Sequence, residues 1–399
     1  MANEPITRQE MLLNAIATGE VASLEPITRE EMFLAKLGGA DVNTPTPITR
    51  KEQFLQKAIE SGGNTGGGGN TGGDEGWIGD GNTHIWISLQ EGRTSPMLGV
   101  CPNGTVTVDW GDGTEPDVLT GTHTAVVKWT PTHNYAKPGD YIITLTVDGE
   151  MGLYGSKTKN EYSAILRYSS GADERNQSYQ SAVKKVEIGN SVTLGDEHTF
   201  SGCYSLSSIK IPDGVTSFGN HIFYNCCSLS SIKIPDGVTS IGSYAFYNCC
   251  PIASIVIPDG VRSIGDRTFY NCYSLSSIKI PDGVTSIGSY AFYGCYSLSS
   301  IKIPDGVTSI SDRAFYSCYS LASVTIPNGV TSIGSYAFWG CSGIRYYDFS
   351  NHTAVPTLSN TNVFTDIAAD CEIRVPAALY DEWIAATNWA TYASQIVAV

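Results

Sequence analysis

The residues with side chains able to do chemistry are six histidines, eleven cysteines and repeating rows of lysine, aspartate and tyrosine. His84, His123, His133, His198, His221 and His352 are scattered, and none falls in a nucleophile, zinc or phosphate-loop motif. Asp109, Asp112 and Asp117 have the look of a Ca²⁺ loop, but their spacing lacks the remaining oxygen ligands, so they read as turn-stabilising residues. Cys203, Cys226, Cys249, Cys272, Cys295, Cys318 and Cys341 recur every 23 residues without a C-x-x-C pair. That pattern suits Cys as a small buried hydrophobe better than as a ladder of metal ligands. Cys227 and Cys250 replace the tyrosine found at Tyr204, Tyr273, Tyr296 and Tyr319, a position expected to face outward. On adjacent coils their Cα atoms would lie about 5 Å apart, within disulfide reach; free stacked thiols are the expectation. No convergent set of titratable groups emerges, so neither an enzyme nor a bound cofactor or metal is expected.

Two rows of residues could bind a partner. Lys210, Lys233, Lys279 and Lys302 form a ladder broken by Val256 and Thr325, with Ser208, Ser231, Ser254, Ser277, Ser300 and Ser323 beside it. It reads as a solvated ladder or an anion site, with Asp213, Asp236, Asp282 and Asp305 three residues on and able to neutralise it. Tyr224, Tyr247, Tyr270, Tyr293, Tyr316 and Trp339 form one aromatic row. Tyr273, Tyr296 and Tyr319 lie close by, and Tyr244, Tyr290 and Tyr336 form another row. Such rings either stack on one another to stabilise the chain or offer rigid contact area with a polar handle to a protein or a sugar face. The first nine are the candidate ligand-binding residues.

The elements that position these rows are tandem copies of a 23-residue unit, from about Val183 to Phe349, marked by Pro212, Pro235, Pro258, Pro281, Pro304 and Pro327. A fixed period of this length means a solenoid of stacked coils. Leu206, Ile209 and Ile211 place alternate strand residues inward, Pro212-Asp213-Gly214 ends the strand, and Val215, Phe218, Phe223 and Cys226 continue the inward set. Val186 and Ile188 open a degenerate first coil and Tyr347 and Phe349 supply the last strand, giving about eight rungs and a stack roughly 35 to 40 Å long. The pattern resembles the BspA-like leucine-rich repeats of bacterial surface and secreted proteins and of some phage proteins.

The chain around this array has 399 residues, 42 glycines, 16% charged residues and a net charge of -15. So acidic a chain is a poor partner for nucleic acid or anionic membrane. No apolar run is long enough to span a membrane, and the first residues lack the basic region and apolar core of a signal peptide. Residues 1–60 hold a second repeat, opened by Pro5-Ile-Thr-Arg, Pro26-Ile-Thr-Arg and Pro47-Ile-Thr-Arg. Thr7 with Glu10, Thr28 with Glu31 and Thr49 with Glu52 are capping boxes for three short helices. Leu12, Leu13 and Ile16 form one apolar face, repeated by Phe33, Leu34 and Leu37 and by Phe54, Leu55 and Ile59. Helices this short are marginal alone, so the segment is either a small self-packed cluster or an assembly anchor that orders on a larger partner. The P-I-T-R-x-E repeats resemble N-terminal segments of structural proteins from phages of gut Firmicutes.

Residues 61–76 form a Gly-rich linker. Residues 77–150 alternate with period two, as in Tyr141-Ile-Ile-Thr-Leu-Thr-Val147, and read as a β-sandwich. Val108-Asp-Trp-Gly-Asp-Gly-Thr114 followed by His133-Asn-Tyr-Ala-Lys-Pro-Gly-Asp-Tyr141 resembles the PKD domain, an immunoglobulin-like module that usually serves as a spacer or adhesion domain. Residues 151–182 are expected to connect to and cap the solenoid at 183–350, and 351–399 to close its far end with a short strand and a helical segment carrying Leu379, Trp383 and Trp389. The fold class is mainly β. The resemblances together imply a non-enzymatic phage virion protein, exposed on the particle as a fiber, head decoration or tail part. Residues 1–60 would hold it to virion proteins, and the solenoid would meet a host or mucosal glycan or protein. The assembly would be a homo-oligomer, with a trimer among the admissible states. The alternative is a bacterial cell-surface adhesin.

Overall fold

The computed structural model describes residues 77–399 except 92–93, 123–127, 154–155, 159–160, 164, 169–180 and 195–196. The expected anchor, from Leu12 to Ile59, and the linker lie outside the described residues. Strand β1 (Thr83–Leu89) buries Ile85, Ile87 and Leu89 and leaves Trp86 and Ser88 half-buried, as alternation demands. Strands β2 (Pro96–Asp109), β3 (Asp117–Gly121), β4 (Lys128–Thr132) and β5 (Gly139–Leu153) follow. A small hairpin, β6 (Ser156–Thr158) with β7 (Glu161–Ser163), leads to β8 (Leu166–Tyr168).

Strands β2 and β5 pair antiparallel from Val100↔Leu153 to Asp109↔Thr144. Gly104 and Gly149 face each other there at φ +127° and +110°. A Cβ on Gly104 would come within 2.3 Å of the Asp148 carbonyl and one on Gly149 within 2.5 Å of that of Asn103, so only glycine lets the two backbones cross so closely. The first half of β2 takes β4 and β8 as neighbours and the second half takes β3. All these strands therefore belong to one hydrogen-bonded sheet.

That sheet does not stop at the solenoid. β1 pairs antiparallel with β9 (Val183–Glu187), and β10 (Val192–Leu194) runs parallel to the end of β5. β11 (Ser208–Lys210) then pairs parallel with β9, so the order β11-β9-β1-β5-β2-β3 passes from coil to sheet without a break. The first coil is covered by β1 as well as by the end of β5 and Ile165, whose amide donates to the Thr199 carbonyl at 2.8 Å.

The coils then stack at a spacing of 23 residues, with Ser208–Lys210, Ser254–Val256, Ser277–Lys279, Ser323–Thr325 and Tyr346–Asp348 as short strands on one side. A second parallel ladder runs from Ser217–Phe218 through Ser240–Ile241 to Thr357–Leu358. Between the ladders, Phe200, Phe223, Phe246, Phe269, Phe292, Phe315 and Phe338 stack at 5.2 to 5.5 Å between ring centres. The inward Leu, Ile, Val and Cys positions read from the sequence are buried. From Cys226 to Cys341, the thiol of each inward cysteine donates to a Phe carbonyl 26 residues earlier, as Cys272 does to Phe246 at 3.2 Å. Burial thus comes with a partner for each of those thiols.

The array has about nine turns rather than eight. Past Phe349 the coil lengthens: Ser332 pairs with Thr357 and Tyr346 with Glu372, while Phe338 stacks on Phe364 at 5.7 Å. The added turn lost the 23-residue spacing and with it the sequence signal. Among the described residues, α-helix is confined to α1 (Tyr380–Ala385), flanked by 3-10 turns at Ala377–Leu379 and Trp389–Tyr392. The chain then returns as Ile396–Ala398, a strand parallel to Glu372–Val375. Trp383 and Trp389 pack on Phe349 at 5.0 and 5.5 Å and close the core. Among the described residues no helix is long and apolar enough to cross a membrane.

Candidate recognition surface

Each coil turns between its two ladders through a pair of residues with positive φ. His198, His221, Tyr244, Arg267, Tyr290, Arg313 and Tyr336 occupy the first such position, at φ between 53° and 61°. That conformation costs a non-glycine residue about 1–2 kcal/mol, and stacking along the axis offsets it. His221 lies 4.5 Å from both His198 and Tyr244. The Arg267 guanidinium sits 5.2 Å from the Tyr244 ring centre and 4.3 Å from that of Tyr290. Arg313 sits likewise 5.3 Å from Tyr290 and 4.6 Å from Tyr336. Each arginine also donates through Nη1 to the tyrosine hydroxyl one coil back, at 2.7 Å to Tyr244 and 3.0 Å to Tyr290. Cation–π attraction of this kind is worth about 0.5–1 kcal/mol where partly exposed.

Asparagine, glycine and, at Ser317, serine serve the second position, where Asn248 donates to Asn225 at 2.8 Å and Asn271 to Asn248 at 3.0 Å. The residue before the arginine alternates in step with it. Oδ1 of Asn220, Asp266 and Asp312 accepts the amide of Ser243, Ser289 and Ser335 in the next coil at 2.8, 2.8 and 2.7 Å. Gly242, Gly288 and Gly334 must be glycine because a Cβ would meet those same oxygens at 2.7, 2.6 and 2.6 Å. Ser311 stands where the preceding coil offers Ser289 instead. The structural unit of this face is therefore two coils.

Tyr224, Tyr247, Tyr270, Tyr293, Tyr316 and Trp339 form one column with ring centres 4.4 to 4.7 Å apart. All six are half-buried, and each of Tyr247, Tyr270, Tyr293 and Tyr316 has both ring faces covered by its column neighbours. The column is knitted to the arginine column through Tyr290–Tyr293 at 5.8 Å and Tyr244–Tyr247 at 5.7 Å. Burial raises the Tyr247, Tyr270 and Tyr293 hydroxyls above the usual range and brings Tyr316 to about 12, so all remain neutral. Tyr273 and Tyr296 stack at 4.9 Å and Tyr319 tilts against Tyr296 at 5.3 Å, making a third column. The surface thus offers ring edges and hydroxyls at the rung spacing, rather than open ring faces.

At the foot of that third column Cys227 and Cys250 do not face outward: they are 1% and 4% exposed, and both are free thiols. Their short side chains turn to the backbone, Cys227 to the Asn225 carbonyl at 3.1 Å and Cys250 to that of Asn271 at 3.5 Å. On the strand face, Lys210 pairs with Glu187 and Lys302 with Asp282, each at 2.8 Å. Asp109, Asp112 and Asp117 do not converge. Asp109 accepts the Gly111 amide at 2.8 Å, Asp112 lies 2.8 Å from His133 Nε2, and Asp117 accepts the Trp110 indole at 2.8 Å. Burial opposes ionisation of Asp112, but His133 and Thr114 outweigh it and hold the carboxyl at about 2. Arg267 and Arg313 are the surface residues that the tyrosine pattern passed over. The alternation of Gly-Ser-Tyr-Ala-Phe292 with Ser-Asp-Arg-Ala-Phe315 was the signal for them.

Residues 175–295 and 239–367 match the family model for the BspA type leucine rich repeat region, in six copies. No curated protein matches the chain. Among solved structures, a leucine-rich repeat protein from Bacteroides ovatus is 25% identical over 58% of this chain and 70% of its own, at a TM-score of 0.41. A leucine rich cell surface protein from Faecalibacterium prausnitzii is 26% identical over 58% of this chain and 86% of its own, at 0.33. The T. pallidum leucine rich repeat protein is 27% identical over 47% of this chain and 91% of its own, at 0.35. These overlaps are partial, and what the match shows is the repeat itself: residues 175–367 form a BspA type leucine-rich repeat region.

Proposed function

We propose that this chain is a non-enzymatic recognition protein whose aromatic columns, from Tyr224 to Trp339 and from Tyr273 to Tyr319, contact a host or mucosal glycan or protein. The observation that carries this reading is the comb of neutral tyrosine hydroxyls on a half-buried face rigidified by stacking. Preorganised rings lose little freedom on binding, which is why such surfaces suit recognition. Because ring faces are consumed by the stack, a sugar would be held by hydrogen bonds to hydroxyls and by ring edges. The test is a glycan and mucin array probed with the native chain and with Tyr247→Phe/Tyr270→Phe/Tyr293→Phe, which keeps the stack and removes the hydroxyls. Loss of the native signals in the variant supports the reading; an unchanged array refutes it.

The setting we propose is the exterior of a phage virion, with residues 1–60 as the anchor and residues 61–76 as a tether; the alternative is a bacterial cell envelope. The three capping-box repeats, each followed by an apolar stripe, support the anchor reading. Electron microscopy and mass spectrometry of purified particles discriminate the two: the chain at symmetric positions on virions supports the first, and its recovery only with envelopes excludes it.

A further inference from the structure

The alternation of arginine and tyrosine gives the recognition face a charge period of its own. Arg267 and Arg313 lie two coils apart, about 10 Å at the spacing of paired strands, on the same column and both half-buried. Stacking on Tyr290 and Tyr336 fixes the plane of each guanidinium. Among the described residues only one donor of each is committed, Nη1 to a tyrosine hydroxyl, out of the five N–H groups an arginine carries. The acidic residues beside them, Asp266 and Asp312, each turn Oδ1 to the amide of the following coil. Tyrosine hydroxyls of the neighbouring column lie alongside on every rung, kept neutral by burial. The face therefore repeats, every two rungs, one guanidinium fixed in place and one aspartate carboxylate whose Oδ1 is held by a backbone amide, with tyrosine hydroxyls between.

We infer that this face binds a linear acidic glycan bearing one carboxylate per disaccharide, laid along the solenoid axis with successive carboxylates on Arg267 and Arg313. The inference rests on the recognition reading above and names the chemical class of its ligand. A planar guanidinium takes a carboxylate through two parallel hydrogen bonds, a geometry that an ammonium does not reproduce. A neutral glycan would offer the remaining guanidinium N–H groups no carboxylate to take them in pairs.

The experiment measures binding of fluorescent hyaluronan oligosaccharides, which carry one carboxylate per disaccharide, to the full chain by anisotropy. Neutral dextran oligosaccharides of matched length are the comparison. Expected are saturable binding of hyaluronan that weakens with salt, no saturable binding of dextran, and a loss of about tenfold for each of R267Q and R313Q. K233Q/K279Q removes equal charge from the strand face and is expected to leave affinity unchanged, and equal circular dichroism spectra and melting temperatures establish that all variants are folded. Equal binding of dextran, unchanged affinity in R267Q/R313Q, an equal loss in K233Q/K279Q, or no saturable hyaluronan binding overturns the inference. If that happens while the tyrosine hydroxyl variant still abolishes array signals, the recognition reading stands with a different ligand. If those signals also persist, both readings fall.

Discussion

Glu187 accepts a hydrogen bond from the Lys210 ammonium at 2.8 Å, although the glutamate is only 4% exposed. The two residues sit on the rungs where the N-terminal sheet becomes the solenoid. The same carboxylate takes the amides of Ile78 at 2.8 Å and Gly79 at 3.2 Å, so one side chain ties the start of the described chain to the first two coils. Replacing Glu187 with alanine strands two amides and an ammonium, and is expected to lower stability by about 2–3 kcal/mol in urea unfolding. Lys210→Met should cost less, about 1 kcal/mol, because the lysine is half-exposed and the amides keep their acceptor. Equal costs would show that the ion pair, not the amide anchoring, holds the joint.

The joint also carries a pH dependence. Burial alone would raise the Glu187 carboxyl, but Lys210 and the two amides outweigh it and hold it below the usual value of 4.5. A carboxyl depressed in the folded state contributes stability that is present above its unfolded pKa and is lost as pH falls through the folded one. Melting temperature should fall with acid below about pH 4.5 in the native chain, and less steeply in Glu187→Ala. Parallel acid limbs in both would remove Glu187 from the explanation.

Much of the solenoid could be read from the chain because each inward position repeats at one spacing: Val238, Ile241, Phe246 and Cys249 are buried as that spacing requires. The joint could not, since pairing Ile85 with Val186 depends on a register between segments a hundred residues apart with no shared pattern. The added turn was hidden by inserted residues between Phe338 and Phe364. At the surface, tyrosine rows were visible but their ring planes were not. Whether a ring offers a face or an edge is decided by the distance to the next coil, and at 4.5 Å between Tyr270 and Tyr293 the faces are spent on each other. Arg267 and Arg313 share their column with Tyr244, Tyr290 and Tyr336, so no single residue type marks that column in the sequence.

His352 gives a second pH signature, at higher pH and at the other end. It is 4% exposed and packs 5.1 Å from the Phe349 ring. Burial lowers its pKa from the ordinary 6.5, only partly countered by the backbone around Val330 and Phe349. The unfolded chain therefore takes up a proton that the folded chain resists. Stability is full above pH 6.5 and declines as pH falls from there toward the folded pKa. In His352→Phe the decline between pH 7 and 5.5 should flatten; an unchanged slope would assign it to other groups.

The cysteines bear on handling as well as on packing. All eleven are free and buried, and burial pushes the thiols of Cys226, Cys249, Cys250, Cys295 and Cys318 well above their usual range. The thiolate is the reactive form, so iodoacetamide at pH 8 should leave the native chain unmodified and label it fully in urea. Rapid native labelling confined to Cys227 and Cys250 would mean that the third column opens in solution.

The two cap tryptophans separate hydrogen bonding from packing, because both are fully buried and lie 4.6 Å apart. Trp389 donates its indole N–H to the Pro356 carbonyl at 2.7 Å. The Trp383 indole N–H finds no hydrogen-bond partner among the described residues. Changing either to phenylalanine removes the same volume and should open a comparable cavity. At Trp389 the change also strands a buried carbonyl, whereas at Trp383 it removes a buried donor that was already unsatisfied. Trp389→Phe should therefore be the more destabilising by about 1–2 kcal/mol in urea unfolding. An equal cost would mean that Trp383 does find an acceptor, and that the cap is held by two indole hydrogen bonds rather than one.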